Sequence, residues 1–414
     1  MGAGSEWERA VINSNEQLPV VIAGAGPTGL MCALALGKQG IPVILCEAAP
    51  GLAHDLRAGS FHPPTLEMMA PYGVTARMLD IGISVRYWQI RDRSGGLVAE
   101  FDLGLLADDT PYPHRLHLEQ HRLTPILLDL LRKETGAQIR FGHSVAGVQQ
   151  LGDRVRVQLE AEAEQSTVDA SWLIGADGGR STVRKALGVE FEGFTWPEQF
   201  LVVSTPYDFS PYGFAMNVYI ADPVEWIALF KMPNSGPPGL WRVVFPVAYE
   251  ADNSALAPDN VESKMQGFVA RPVPYEVRYK SIYRVHQRVC KSFRAGRVLL
   301  AGDAAHINNP MGAFGLNSGI HDAINLSEKL GRVWRGEAAE SVLDVYVRQR
   351  RTAAVEHVQA MSIRNLRLLE ERDPAVRQAR LQELMAIADD PVRARRHLLD
   401  TSMISSLRQT EQIQ

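Results

Sequence analysis

Two patterns of apolar and polar residues alternate along this chain. Short, almost wholly apolar runs stand at 20–23, 42–46, 172–176 and 297–301, each bounded by glycine or charge. Runs this short and this dry read as strands buried on both faces. Longer stretches space their apolar residues three and four apart, at 27–38, 65–79 and 123–133, which predicts helices with one buried face. A further helix is expected at 316–334, and the chain from 341 onward reads as mostly helical. Between these lie stretches of strand-like composition punctuated by turn residues. They are 83–101, turning at 91–96; 139–169, turning at Gly152-Asp153; and 191–283, rich in aromatic and β-branched residues, with a loop at 233–239. The predicted fold is α/β: a Rossmann-like domain, an inserted antiparallel-sheet domain and a helical C-terminal tail. The first takes residues 1–85, 116–190 and 285–370, the second 86–115 and 191–284, and the tail 371–414.

The first strand runs directly into Gly24-Ala25-Gly26-Pro27-Thr28-Gly29. Three glycines at this spacing have separate physical tasks. Gly24 permits the tight strand-to-helix turn, Gly26 lets a pyrophosphate approach the backbone, and Gly29 lets helix and strand pack closely. The helix that follows presents free N–H groups and a positive dipole end to the phosphates. Glu47 closes the second strand, 18 residues after Gly29, where an acid is needed to bind a ribose hydroxyl. Strand, turn, helix and acid together predict a dinucleotide site.

Two more strand-to-turn junctions follow the same plan. The strand at 172–176 leads into Asp177-Gly178-Gly179-Arg180-Ser181-Thr182-Val183-Arg184, and the strand at 297–301 leads into Gly302-Asp303-Ala304-Ala305-His306, with Pro310 beyond it. With these three motifs in order, the chain resembles the single-component FAD-dependent aromatic hydroxylases, the para-hydroxybenzoate hydroxylase-like flavoprotein monooxygenases. The resemblance spans 20 to about 330 and implies FAD as cofactor, NADH or NADPH as co-substrate, and O2. It implies that Gly24, Gly26, Pro27, Thr28 and Gly29 hold the pyrophosphate and Glu47 the adenosine ribose. Arg57 and Arg122 would be basic contacts to FAD, Asp177 would serve FAD and the reduced nicotinamide, and Asp303 would bind the ribitol. Pro310 would lie near the isoalloxazine, with the backbone of Gly315, Leu316 and Asn317 facing its pyrimidine edge. A helix N-terminus there suits the negative charge that reduced flavin carries near N1 and O2.

Composition changes this picture little. The chain has 414 residues, enough for two or three domains, and a formal charge of −4, which suggests neither nucleic acid nor an anionic membrane as partner. No apolar run approaches a membrane span and the N-terminus lacks the apolar core of a signal peptide, so a cytoplasmic location is expected. Cys32, Cys46 and Cys290 read as small core residues. His114, His117 and His121 lack a carboxylate framework and no metal is expected. A homodimer is open from sequence.

In this family the cofactor supplies the oxygen chemistry. The protein's task is to keep a C4a-hydroperoxide dry and aim it at an electron-rich ring carbon. The expected reaction is therefore hydroxylation of a phenolic or heteroaromatic small molecule. Candidates for the substrate wall are Tyr212, Met216 and Tyr219 on one strand, Trp226 and Phe230 on another, with Ala228 on the same face, and Phe314 in the flavin loop. His306 or Tyr219 is the candidate base. Alternatives on the same fold are a flavin-dependent reductase or other oxidase, and a non-catalytic FAD-binding sensor. A halogenase is disfavoured, because its Trp-x-Trp-x-Ile-Pro signature is matched only by Val224-Glu225-Trp226-Ile227.

Overall fold

A computed structural model of the protein describes residues 18–54, 59–162, 164–248 and 254–414. The four dry runs assemble into one six-stranded sheet. Its order is Arg294–Ala295, Val298–Leu300, Trp172–Gly175, Val20–Ala23, Val43–Glu47 and Gln138–Phe141. All neighbours are parallel except the first pair, so Val20–Ala23 lies centrally, with Val20 opposite Trp172 on one side and Val43 on the other. The helix Pro27–Gly37 packs between Gln120–Glu134 and Phe314–Trp334 and is buried on nearly every side. That burial explains why its sequence, unlike that of Gln120–Glu134, has no polar face.

The aromatic-rich stretches form an eight-stranded mixed sheet: His306–Ile307, Tyr279–Cys290, Phe191–Thr205, Leu240–Ala248, Ile227–Met232, Asn217–Ala221, Tyr87–Asp92 and Gly96–Asp102. Period-two alternation gives it two faces. Val218, Ile220, Ile227 and Leu229 face the helix Pro258–Phe268. Trp88, Phe101, Tyr219, Trp226, Ala228 and Phe230 face the other way, with Met311 and with apolar residues of the C-terminal helices Pro374–Ala388 and Pro391–Thr401. The tail is thus a cover for this inner face. A small third sheet, Ser60–Phe61, Arg115–His117 and Ile83–Val85, joins the two large ones, and His117 Nδ1 lies 2.9 Å from the Lys231 carbonyl.

Two local expectations need correction. The helical pattern at 65–79 is two helices, Pro63–Met69 and Val74–Ile81, separated by a turn containing Pro71 and Gly73. Tyr212 and Met216 do not share the strand of Tyr219, which begins at Asn217. Pro211 has no N–H to give a sheet, and Gly213 in the left-handed region (φ 74°) ends a 3-10 turn there. Both side chains are exposed, at 44% and 43%.

Candidate active site

The site grows from the glycine turn. Gly24 has φ 100°, and a Cβ on it would come within 2.5 Å of the Ala176 carbonyl oxygen. A Cβ on Gly29 would lie 1.9 Å from the Gly24 carbonyl oxygen, so helix and strand touch backbone to backbone. Gly26 differs, since a Cβ there would meet nothing within 4 Å. The turn therefore leaves open space at the glycine where a pyrophosphate would approach. The helix it starts has no side-chain cap, so its first N–H groups keep their capacity for an anion. Glu47 braces the turn, its carboxylate accepting from Ala25 N at 2.7 Å and Ala49 N at 2.9 Å. Thr28 wedges between two later segments: a Cβ on either Gly302 or Gly319 would sit 2.5 Å from its Oγ1.

Asp177 accepts from Thr182 N, Val183 N and the Ser181 hydroxyl, capping the helix Thr182–Ala186. Arg184 ties this turn to the Gly302 turn, donating to the carbonyls of Gly179 and Ala304 at 2.8 and 3.0 Å. Beneath Gly302 lies a buried charge cluster that sequence reasoning missed. Asp322 accepts from Gly302 N at 2.9 Å, pairs with His306 Nε2 at 2.7 Å and accepts from Arg350 Nε at 2.6 Å. Burial alone would raise this carboxyl, but His306 and Arg350 outweigh it and hold it at about 2. His306, only 3% exposed, is thus a brace under the turn rather than a group facing the inner sheet face. Asp303, next to Gly302, is exposed. Arg57 lies outside the described residues. Arg122 donates to the carbonyls of Asn234 and Ile81.

A second anion-seeking helix end lies beyond Pro310. The helix Phe314–Trp334 starts after Ala313 in the left-handed region, with no side-chain cap and no acid in its first turn. Asn317, fully buried, uses its side chain to hold the facing segment, accepting from His62 N (2.9 Å) and Thr65 Oγ1 (2.6 Å) and donating to the carbonyls of Ser60 and Ala313. The N–H groups of Phe314, Gly315 and Leu316 precede the first i→i−4 bond of the helix and have no partner within it, whereas that of Asn317 reaches back to the Ala313 carbonyl. His62 stacks on Phe314 at 5.6 Å and its Nε2 donates to the Gly312 carbonyl.

The inner sheet face meets this loop at Tyr219, whose hydroxyl accepts from Gly312 N at 3.2 Å. Burial raises the Tyr219 hydroxyl above its ordinary value, which keeps it a donor in the ligand-free protein. Around it stand Trp88 and Phe230, both edge-on at 6.3 and 5.8 Å, and the buried pair Arg115 and His117 from one face of a short strand. Many polar atoms here are buried without partners: Arg115 Nε and Nη1, His62 Nδ1, His117 Nε2, both amide atoms of Asn217, and the indole nitrogens of Trp88 and Trp226. Buried polar groups without partners are rare and mark places where a ligand or water belongs. Arg115 was missed in sequence, and His117 was weighed there only as a metal ligand and set aside. Their signal is the Arg-Leu-His alternation, two polar positions flanking a leucine in a strand.

Two uncapped helix ends joined by the Gly302 turn, beside an aromatic face rich in unsatisfied polar groups, fit a flavin dinucleotide and an aromatic substrate. The chain belongs to the FAD binding domain family, which matches residues 17–361, and it is an FAD-dependent monooxygenase of the aromatic hydroxylase type. It is 34% identical over 399 residues to para-nitrophenol 4-monooxygenase of Pseudomonas sp. (strain WBC-3), covering 95% of this chain and 97% of that one. The crystal structure of p-nitrophenol 4-monooxygenase PnpA from Pseudomonas putida DLL-E4 superposes with a TM-score of 0.89 at 33% identity, covering 94% of this chain and 98% of that one. Another relative, 34% identical over 356 residues, is 6-hydroxy-3-succinoylpyridine 3-monooxygenase HspB of Pseudomonas putida (strain DSM 28022 / S16), with 86% of this chain and 90% of that one covered. No helix among the described residues is long and apolar enough to cross a membrane.

Proposed function

We propose that this chain hydroxylates a one-ring phenol or hydroxylated heteroaromatic, using NADH or NADPH and O2. One oxygen atom replaces a ring hydrogen as a hydroxyl, the other leaves as water, and the nicotinamide is oxidised. The observation that carries the reading is the set of unpartnered polar atoms on an aromatic sheet face beside the Gly312 loop. Both relatives described above, which align over nine-tenths or more of their length, are named for one-ring substrates.

In this reading 86–115 and 191–284 would carry the substrate, and the tail would cover them. Gly24 to Gly29 would hold the pyrophosphate, Glu47 the adenosine ribose and Asp303 the ribitol, while Asp177 would serve FAD and the reduced nicotinamide and Arg122 would be a basic contact to FAD. The backbone of Gly315, Leu316 and Asn317 would face the flavin pyrimidine edge, and Pro310 would lie near the ring system. When bound, FAD takes electrons from the nicotinamide and supplies the oxygen chemistry. The chain's own residues orient and dry the reacting pair. Trp88, Tyr219, Trp226 and Phe230 exclude water and fix the ring plane, and the tail helices keep that face out of solvent. His62 and His117 offer bare imidazole nitrogens to substrate polar groups, because each donates its other nitrogen to a carbonyl.

The test is anaerobic reduction of the bound flavin by NADH and by NADPH, with and without a panel of phenols and hydroxypyridines, followed by product analysis under labelled O2. Faster reduction with one compound, and one labelled oxygen in its product, is expected. A protein that does not take up FAD, or a product without labelled oxygen, would refute the reading.

A further inference from the structure

We infer that the C-terminal helices build a second ligand site, behind Phe314, for a one-ring aromatic that carries a hydrogen-bond donor and no negative charge. A cavity of about 230 Å³ lies between the segment 353–361 and the helices Pro391–Thr401 and Ile404–Thr410. Its inner end is apolar. Phe314, Val358 and Met403, all buried, form a cluster separate from the one on the inner sheet face, with Met361 packed against it. Its mouth is polar, made by His357, Asp400, Ser405 and Gln409. A dry cavity of about 150 Å³ is already enough to hold benzene. One ring therefore fits at the inner end, with its polar substituent at the mouth.

The backbone is bent to make this space. Residues Ala353–Gln359 form a π-helix, a wide turn frequent at functional sites, between the helices Val342–Thr352 and Ala360–Leu369. Met403 stands in the left-handed region (φ 66°), uncommon for a residue with a side chain, and from there closes the inner end. The charge at the mouth selects the ligand. Among the described residues lining the cavity, Asp400 alone is an acid, and none is a lysine or arginine. Burial holds His357 below the ordinary imidazole range, against the pull of Glu356 and Asp400, so it is neutral at pH 7. A hydroxyl or amine at the mouth finds an acceptor, whereas a carboxylate meets Asp400 with no cation on the wall to receive it.

Phe314 is the partition between this cavity and the Gly312 loop. A Cβ on Gly312 would lie 2.3 Å from its ring, and His62 stacks on it. The helix that carries Met361 also holds the loop. Asn365 Nδ2 donates to the Met311 carbonyl at 3.4 Å, and Ser362 accepts from Gln287, which itself accepts from Asn309 N at 3.0 Å. A ring in the cavity thus bears on both the aromatic floor of the loop and the helix that anchors it.

The experiment is fluorine NMR of the FAD-loaded protein with 4-fluorobenzyl alcohol, and with 4-fluorobenzoate as the anion of similar outline, alongside the flavin difference spectrum. Wild type should give a saturable bound resonance for the alcohol, with Kd on the order of 1 mM or below. Binding should be at least about tenfold tighter than for the benzoate, and the flavin spectrum should change with the same midpoint. Ser405→Trp at the half-buried mouth, and Val358→Phe at the inner end, should each weaken the alcohol by about tenfold or more. Asp400→Asn, at an exposed side chain, should tighten the benzoate about threefold. Tyr219→Phe, on the inner sheet face, should leave the alcohol's affinity unchanged. Absence of a saturable resonance, its loss in Tyr219→Phe but not in the two filling variants, or equal binding of alcohol and anion would overturn the site. A bound resonance with an unchanged flavin spectrum would overturn its link to the loop. Hydroxylation is decided separately by the labelled-oxygen product, so the two readings fail independently.

Discussion

Replacing Asp322 with asparagine changes one atom and removes one charge from the fully buried cluster under the Gly302 turn. The carboxylate now takes Gly302 N and His306 on Oδ2 and Arg350 on Oδ1. A carboxamide offers one oxygen and one NH2 in that space, so at least one of these donors would face another donor. Arg350, 2% exposed, would lose its counter-charge without gaining water. Breaking a buried pair from one side costs about 3–5 kcal/mol, a large part of the 5–15 kcal/mol that typically separates folded from unfolded chains. The pH dependence follows from the depressed carboxyl, which falls from 3.8 to about 2 on folding. A folded value below the unfolded one stabilises the fold above about pH 4, and that stabilisation, about 2 kcal/mol, is lost as pH falls through 2. Urea unfolding of wild type and Asp322→Asn, with flavin retention followed in parallel, measures both effects. The urea midpoint should fall with an unchanged slope, the gap should narrow in acid, and FAD should be released earlier because Gly302 N has lost its acceptor. Adding Arg350→Met should recover part of the loss, since an apolar replacement leaves no orphaned charge. A cost below about 1 kcal/mol, or no recovery in the double variant, would show that the cluster does not hold the turn.

Three further outcomes are expected. Gly29→Ala, whose Cβ would lie 1.9 Å from a backbone oxygen, should yield protein with little flavin, read from the flavin-to-protein absorbance ratio. Asn317→Ala strands the His62 N–H and the Ser60 carbonyl in the interior and should cost roughly 2 kcal/mol or more, seen as a lower Tm and weaker FAD retention. Leu398→Ala, fully buried where the tail meets the inner sheet face, should cost about 2–5 kcal/mol in urea unfolding, and should raise nicotinamide consumption without product as water enters.

The glycine turn was legible because its requirements are local. Gly24 and Gly29 are demanded by backbone contacts within a few residues, and the dry runs at 20–23, 172–176 and 297–301 announce buried parallel strands. The inner face was legible in part. Period-two alternation places Trp226, Ala228 and Phe230 together, but the same reasoning extended to Tyr212 and Met216 fails because Pro211 and Gly213 end the strand's reach. Arg115 and Asp322 were out of view for a different reason. A buried charge looks like a surface charge in a one-dimensional pattern, and only the fold shows that Asp322 meets residues 302, 306 and 350, or that Arg115 meets residue 219. His306 drew notice as a possible base because it stands in a motif, yet its partner lies sixteen residues further on, on the inward side of a helix.

The wedge made by Thr28 also sets a schedule for the chain's birth. The glycine turn emerges early, but the surfaces that lock it, Gly302 and Gly319, are made some 270 to 290 residues later. At about 5–20 residues per second, the first turn waits roughly 15–60 seconds for its partners. Its neighbouring strand Trp172–Gly175 and, beyond that, Val298–Leu300 arrive in the same delayed order, so this side of the parallel sheet is built outward from Val20–Ala23 as the chain emerges. A nascent chain stalled before residue 302 would therefore carry the glycine turn without the surfaces that lock it.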